Sequence, residues 1–176
     1  MQHGEFASVY ETAQLRKFYN GRTETCRTCT PEIVKFIKLI LQENRDVEAC
    51  AEAFAEAHLG YLMNMFECIN FRGFDRHLLA LKPCSVTDHY TYKKGGASNF
   101  HLSTSSIGSL PDEGVPHAGA CMPFRLDGYG AFYGYSNTRI FLSTVDCLAC
   151  PETDSSLLAE NLEKALNMIL DVMKEA

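Results

Sequence analysis

The chain has 176 residues, 46% of them apolar, which is the length of one ordinary domain with enough apolar side chains to fill a core. Its 16 Lys and Arg against 22 Asp and Glu leave a net charge of −6, which excludes the basic field that draws proteins to nucleic-acid backbones or anionic lipid. No apolar run approaches the ~20 residues of a membrane-spanning helix, and Met1-Gln2-His3-Gly4-Glu5 lacks the basic and then apolar start of a secretion signal. The reading is a soluble, intracellular chain with no transmembrane segment and no nucleic-acid partner.

In chain order, Phe6 to Tyr10 alternates weakly and predicts a short strand, followed by a polar stretch from Glu11 to Thr30. Thr30-Pro31-Glu32 predicts a helix start: Thr caps free amides, Pro suits the first turn and Glu meets the positive end of the dipole. Ile33, Phe36, Ile37, Ile40 and Leu41 then fall at helical spacing. A second helix after Asn44-Arg45-Asp46 carries a stripe of Ala51, Phe54, Ala55, His58, Leu62 and Met65. A third, Phe74 to Leu81, stops before Pro83. Gly95-Gly96-Ala97-Ser98 punctuates the chain before a strand over residues 99–105, and a loop rich in Gly and Pro occupies residues 108–123. Tyr129 to Tyr135 and Arg139 to Val145 flank Ser136-Asn137-Thr138 as a hairpin. Pro151-Glu152-Thr153-Asp154 opens a last helix whose apolar face runs from Leu158 through Leu162, Ala165, Leu166, Ile169 and Leu170 to Met173. The class is mixed α/β.

The eight cysteines are scattered in a chain large enough to fold without disulfides, and they read as thiols. Cys26/Cys29 and Cys147/Cys150 have CxxC spacing. A zinc ribbon sets its pairs about 15–20 residues apart, whereas these are separated by well over a hundred. No metal site is predicted, and a zinc-binding module is kept only as a third reading.

Glu11, Arg16, Arg22, Glu24 and Arg27 share a segment with Thr12, Thr23 and Thr25. Such interleaved hydroxyls and guanidinium groups suit a carboxylate or phosphate ligand, or else make a solvated loop with surface ion pairs worth little. Ser103 and Ser105 alternate along a strand and therefore aim two hydroxyls at one face, as a plain edge strand would too.

These pieces occur together and in order. Tyr10-Glu11-Thr12-Ala13, Gly21-Arg22-Thr23-Glu24-Thr25, Phe74-Asp75-Arg76-His77-Leu78-Leu79, Leu102-Ser103-Thr104-Ser105, Asp127-Gly128-Tyr129-Gly130 and Cys150-Pro151-Glu152-Thr153-Asp154 resemble the C-terminal part of the carnitine/choline acyltransferase family. The resemblance spans nearly the whole chain, residues 1–176, and looks most like the peroxisomal, medium-chain branch. It implies one chloramphenicol-acetyltransferase-like half of a two-domain CoA-dependent acyltransferase fold, a mixed β-sheet with flanking helices. The implied activity is acyl transfer between coenzyme A and carnitine in fatty-acid metabolism. Carnitine and acyl-CoA are then substrates, and no cofactor is permanently bound.

Under the resemblance, Tyr10, Thr23 and Arg76 match positions that hold the carnitine carboxylate, and Ser103 lies beside the trimethylammonium group. Ser105 matches the donor to the developing oxyanion. Thr12 and Ser106 match coenzyme A contacts, and Gly119 matches the mouth of the acyl pocket. Choline-using members differ at the Thr-Glu-Thr and Arg positions, so Thr23-Glu24-Thr25 and Arg76 point to carnitine. Ser106 stands where several relatives carry Gln, and Leu59 where a coenzyme A-binding Arg is found.

The family's general base is a His in a His-x-x-x-Asp motif. None of His3, His58, His77, His89, His101 and His117 is followed by Asp four residues on, and His77 reads as a packed helical residue. The expectation is a carnitine-side half-site, inactive alone and prone to self-association through the face its partner half would cover. The alternative is a noncatalytic binding module that keeps the half-fold. The resemblance implies a peroxisome, which the terminal Lys174-Glu175-Ala176 does not support; mitochondrion and cytosol are the alternatives.

Overall fold

The computed structural model describes residues 6–81, 100–110 and 119–176. The Gly95-Gly96 punctuation, Pro83 and most of the loop through residue 118 lie outside them, as do His3, His89 and His117.

Nine elements follow in order: β1 (Val9–Gln14), β2 (Thr23–Arg27), α1 (Pro31–Ile40), α2 (Val47–Ile69), α3 (Asp75–Leu81), β3 (Leu102–Ser109), β4 (Tyr129–Tyr135), β5 (Ile140–Val145) and α4 (Ser155–Glu175). The strands form one mixed sheet in the order β2-β1-β3-β4-β5. The outer pairs are antiparallel, while β1 with β3 and β3 with β4 are parallel.

Predicted boundaries are corrected at three strands: the strand read over residues 99–105 runs from Leu102 to Ser109, into the start of the supposed loop. The first strand starts at Val9, not Phe6, and runs on into the supposed polar stretch, which also holds β2. Hydrophobic alternation misses both strands because two of their inward positions are acids: Glu11 and Glu24 are buried, along with Ala13 and Cys26. The helix starts follow the sequence. Thr30, Asp46 and Asp154 accept hydrogen bonds from the amides of Ile33, Ala49 and Leu157 and so satisfy free N–H groups.

All the long helices cover one face of the sheet. Cys68 of α2 packs on Ala13 and Cys26, while α1, α2 and α4 share a core of Phe36, Ile40, Cys50, Ala53, Ala57 and Val172. The fully buried residues of α2 are Cys50, Ala53, Ala57 and Cys68; of the predicted stripe Ala51, Phe54 and Met65 pack partly buried beside them, whereas Ala55, His58 and Leu62 are exposed. Small side chains let the neighbouring backbones close in, and Leu59, Leu62, Met63 and Phe66 are left facing out. His58 is exposed and stacks on Phe54, and His77 is exposed instead of packed. Short α3 lies along the β2 edge, and no helix among the described residues is long and apolar enough to cross a membrane.

Candidate functional site

Register assigns the strand residues to faces. Tyr10 pairs with Ser103, Thr12 with Thr25, Ser103 with Gly130 and Ser105 with Phe132, so Tyr10, Thr12, Thr23, Thr25, Ser103 and Ser105 share the face away from α2. Here the Ser103 hydroxyl, 1% exposed, donates to the Tyr10 oxygen at 2.7 Å. The Tyr10 ring is held by Phe100 at 4.7 Å and Phe124 at 5.4 Å between centroids. Burial raises the Tyr10 pKa, opposed by the Ser103 hydrogen bond and by the charge of Arg76, so the phenol is kept neutral while the guanidinium reaches its neighbourhood.

Arg76, near the start of α3, crosses the sheet edge. Its Nε donates to the Thr23 carbonyl at 2.9 Å and one terminal nitrogen to Thr23 Oγ1 at 2.8 Å. Its own amide donates to buried Glu24, which also accepts from the Thr25 amide. The surface pairing with Asp75 or Glu67 that would make Arg76 an ordinary helix residue is absent. Asp75 is bound by Arg27 through three hydrogen bonds, and Glu67 pairs with Arg72.

The predicted carnitine positions thus arrive as two pairs, Tyr10 with Ser103 and Thr23 with Arg76. Thr23 lies opposite Gln14 while Tyr10 lies opposite Arg27, an offset of four residues or about 13 Å along the strand, which the long Arg76 side chain partly spans. Ser105 sits two residues beyond Ser103, and its hydroxyl has no hydrogen-bond partner among the described residues, so it is an unspent donor.

The two coenzyme A positions separate. Thr12 is on this face, whereas Ser106 pairs with Tyr133 on the helix side and accepts from the Gly108 amide at 2.9 Å. Gly119 lies against Phe132: a Cβ there would fall 2.3 Å from the ring, which fills the space a side chain would need.

Three features escape sequence reasoning. Cys121 Sγ lies 3.0 Å from Ser103 Oγ, brought there because Gly130 lets the Cys121 backbone rest on β4; a Cβ on Gly130 would lie 1.5 Å from the Cys121 carbonyl oxygen. On the reverse face, Glu11 accepts from Thr104, from Tyr133 and from the Ser106 amide, and burial raises its pKa. Burial beside Glu11 pushes Tyr133 up to about 12. That network sits directly behind Tyr10 and Ser103. Third, Arg27 stacks over Phe74 and Phe100, which ties α3 to the Tyr10 ring. Only the glycine pair Gly128/Gly130, flagging close backbone approach, was a sequence signal for any of them.

The two CxxC pairs do not meet. Cys26 is in β2 and Cys147 follows β5, at opposite edges of a five-stranded sheet, roughly four strand spacings or about 19 Å apart, too far to share one ion. Cys26 instead packs on Cys68, and burial pushes its thiol up to about 12. The seven described cysteines are free thiols.

A family model for choline/carnitine O-acyltransferase matches residues 1–164. Peroxisomal carnitine O-octanoyltransferase of Mus musculus is 33% identical over 184 residues, covering 99% of this chain and 29% of that protein. The Homo sapiens protein of the same name is 34% identical, covering 97% of this chain and 29% of its own length. Homo sapiens carnitine O-acetyltransferase is 34% identical, covering 93% of this chain and 27% of that protein. This chain therefore spans less than a third of the length of these relatives. Matched over most of its residues by the family model and by enzymes that share a third of its sequence, the chain belongs to the choline/carnitine O-acyltransferase family.

Proposed function

We propose that this chain forms the carnitine-binding part of a carnitine O-acyltransferase of medium-chain, octanoyl type, which exchanges acyl groups between coenzyme A and carnitine in peroxisomal fatty-acid metabolism. In this reading residues 1–176 are the C-terminal portion of the acyltransferase domain and one chloramphenicol-acetyltransferase-like half of the fold. The observation that carries it is the fixed cation: Arg76 is clamped on Thr23 and shares a face with Tyr10 and Ser103. A guanidinium and two hydroxyls suit a carboxylate, and Ser103 beside aromatic rings suits the quaternary ammonium.

In the transfer step the carnitine hydroxyl attacks the thioester carbonyl, and the tetrahedral intermediate then collapses with cleavage of the C–S bond, so that coenzyme A leaves as the thiol with the proton taken from carnitine. The Ser105 hydroxyl, which has no hydrogen-bond partner among the described residues, donates to the oxyanion that develops on that carbonyl. The base that takes the carnitine proton lies outside this sequence, since no His here carries Asp four residues on. Thr12, on the same sheet face as Tyr10 and Ser103, is the proposed coenzyme A contact. Medium-chain preference rests on Gly119, and an acyl chain passing it must turn the Phe132 ring aside.

Titration of the chain with L-carnitine and with choline tests this. Arg76→Asn is expected to weaken L-carnitine by about 10–100-fold, the equivalent of one charge-assisted hydrogen bond at roughly 1.5–3 kcal/mol, and to leave choline unchanged. Equal losses for both ligands, or none, would remove the support for carnitine. The lack of a His-x-x-x-Asp motif favours a second reading, a noncatalytic binding module on the same half-fold. Acyl-CoA/carnitine turnover by the pure chain at least ~10²-fold below a full-length relative fits either reading; robust turnover would require a base among these residues.

A further inference from the structure

Cys147-Leu148-Ala149-Cys150 lies between β5 and α4 and carries a CxxC pair that the proposed function does not use. The Cys150 amide donates to the Cys147 carbonyl at 2.8 Å, so the four residues make a hydrogen-bonded β-turn with a thiol at each end. Such a turn brings its first and fourth Cα atoms within about 7 Å, and a disulfide spans about 4.4–6.8 Å between Cα atoms. Both cysteines are free thiols, at the separation a disulfide needs.

The other CxxC pair shows that spacing alone is not enough. Cys26 is fully buried in β2 against Cys68 of α2, while Cys29, just beyond β2, is exposed. One thiol of that pair faces the helix side and the other faces solvent.

Around Cys147 and Cys150 the frame is fixed at both ends. Before the turn, Thr144 Oγ1 donates to the Ser155 carbonyl at 2.9 Å, and Asp146 accepts from the Ser155 amide at 2.8 Å. After it, the Thr153 hydroxyl donates to the Cys150 carbonyl at 3.2 Å, and the Asp154 amide donates to the Tyr129 hydroxyl at 3.1 Å. A backbone already ordered loses little more freedom when two sulfurs join, which raises the effective concentration of one thiol at the other. Reagents can reach the pair. Leu148 at the tip is fully exposed, and both cysteines are partly exposed.

Charge selects among those reagents. Between Arg139 and Lys164 there is no basic residue, whereas Asp146, Glu152 and Asp154 flank the pair. An acidic segment attracts a cationic reagent and repels an anionic one, an effect that salt screens.

We propose that Cys147 and Cys150 form a reactive dithiol that closes to a disulfide by exchange with small cationic disulfides. One cysteine, as its thiolate, attacks a sulfur of the small disulfide, whose S–S bond breaks; the released half takes up the proton and leaves as a thiol. The second cysteine, as its thiolate, attacks the protein sulfur of the mixed disulfide. The Cys147–Cys150 bond forms, and the other half leaves as a thiol with the second proton. The protein gives up two electrons and two protons, and the small disulfide takes up both.

The test treats the whole reduced chain with a slight excess of cystamine, a cationic disulfide, or of oxidised glutathione, an anionic one. Trypsin releases residues 140–164 as one peptide that holds Cys147, Cys150 and no other cysteine. After acid quenching and alkylation of the remaining thiols, mass spectrometry should find this peptide unalkylated and lighter by two hydrogens, and dithiothreitol should restore two alkylatable thiols. Cys147→Ser and Cys150→Ser should each stop at the mixed disulfide, at least about tenfold more abundant than in the wild type, whose closure should not depend on protein concentration. Cystamine should react at least about threefold faster than oxidised glutathione, and salt at about 0.5 M should narrow that ratio. Two alkylated thiols after cystamine, a wild-type mixed disulfide as persistent as in the variants, or a bond between two chains would overturn the dithiol. A ratio that salt does not move would overturn the preference for cations. None of these readouts involves carnitine, so the dithiol and the carnitine site stand or fall separately.

Discussion

Arg27 and Asp75 form the ion pair on which α3 is anchored, with the carboxylate 1% exposed and the guanidinium side chain 34% exposed. Removing one partner strands the other, so Asp75→Asn should cost about 3 kcal/mol, the low end for a broken buried pair because Arg27 keeps some water contact. For a chain of this size that is roughly 6–12 °C in melting temperature. Lys35 and Glu56, both more than half exposed, should cost less than about 1 kcal/mol when separated, and a melting curve for Lys35→Met is the comparison. Equal shifts in the two variants would mean that Asp75 is not the buried anchor. Glu11 makes a different kind of prediction. Burial raises its pKa above the ordinary 4.5, so the native state keeps a proton that the unfolded chain releases. Its contribution is greatest below pH 4.5 and is lost as pH rises through the native value. Glu11→Gln removes that titration, and between pH 4 and pH 8 the variant should gain on the wild type in melting temperature; parallel curves would show that the ionised form carries no penalty. These acids also explain what the sequence hides. Tyr-Glu-Thr-Ala-Gln and Thr-Glu-Thr-Cys-Arg read as polar loops, because burial of a carboxylate that accepts several hydrogen bonds leaves no trace in hydrophobic periodicity.

At the level of elements, α2 shows why size matters more than hydrophobicity for helix orientation. Its fully buried stripe is Cys50, Ala53, Ala57 and Cys68, with Phe54 and Met65 packed partly buried beside it, while Leu59, Leu62, Met63 and Phe66 point out. Ala57→Leu is expected to overpack the contact with the neighbouring helices at a cost of about 1–3 kcal/mol, while Leu62→Ser should stay within about 0.5 kcal/mol. Denaturant unfolding of both variants checks this, and the opposite ranking would return the helix to the orientation its hydrophobic pattern predicts. The other elements were more legible. Thr30, Asp46 and Asp154 are cap residues whose chemistry is local, and β4 with β5 needs only a short turn, so these starts and this hairpin follow from neighbours in the chain. The members of the candidate site were legible only through resemblance. The pairing of Arg76 with Thr23 and of Tyr10 with Ser103 depends on contacts 53 and 93 residues apart, which no local pattern encodes. Cys121 was missed for the same reason.

On the scale of the whole molecule, the long helices cover one face of the sheet, while Met122, Phe124 and Leu126 stay largely exposed beside the strands of the other and Leu59, Leu62, Met63 and Phe66 on the outside of α2. Exposed apolar side chains on both sides of the molecule favour association. Sedimentation should show a mass that rises with concentration, and replacing Leu59, Leu62, Met63 and Phe66 with serine should lower it. An unvarying monomer mass would show that these side chains are tolerated singly in water. The strand order has a further consequence, for synthesis. Central strand β3 carries Ser103 and Ser105 and separates β1 from β4, yet it leaves the ribosome 93 residues after Tyr10. At about 5–20 residues per second the β1–β2 hairpin, complete at Arg27, waits roughly 4–15 s for β3 to begin at Leu102, with one edge unpaired. For that interval the nascent chain offers an open strand to any passing β-segment, so its yield in the cell is governed by chaperone access during elongation as much as by the stability of the finished sheet.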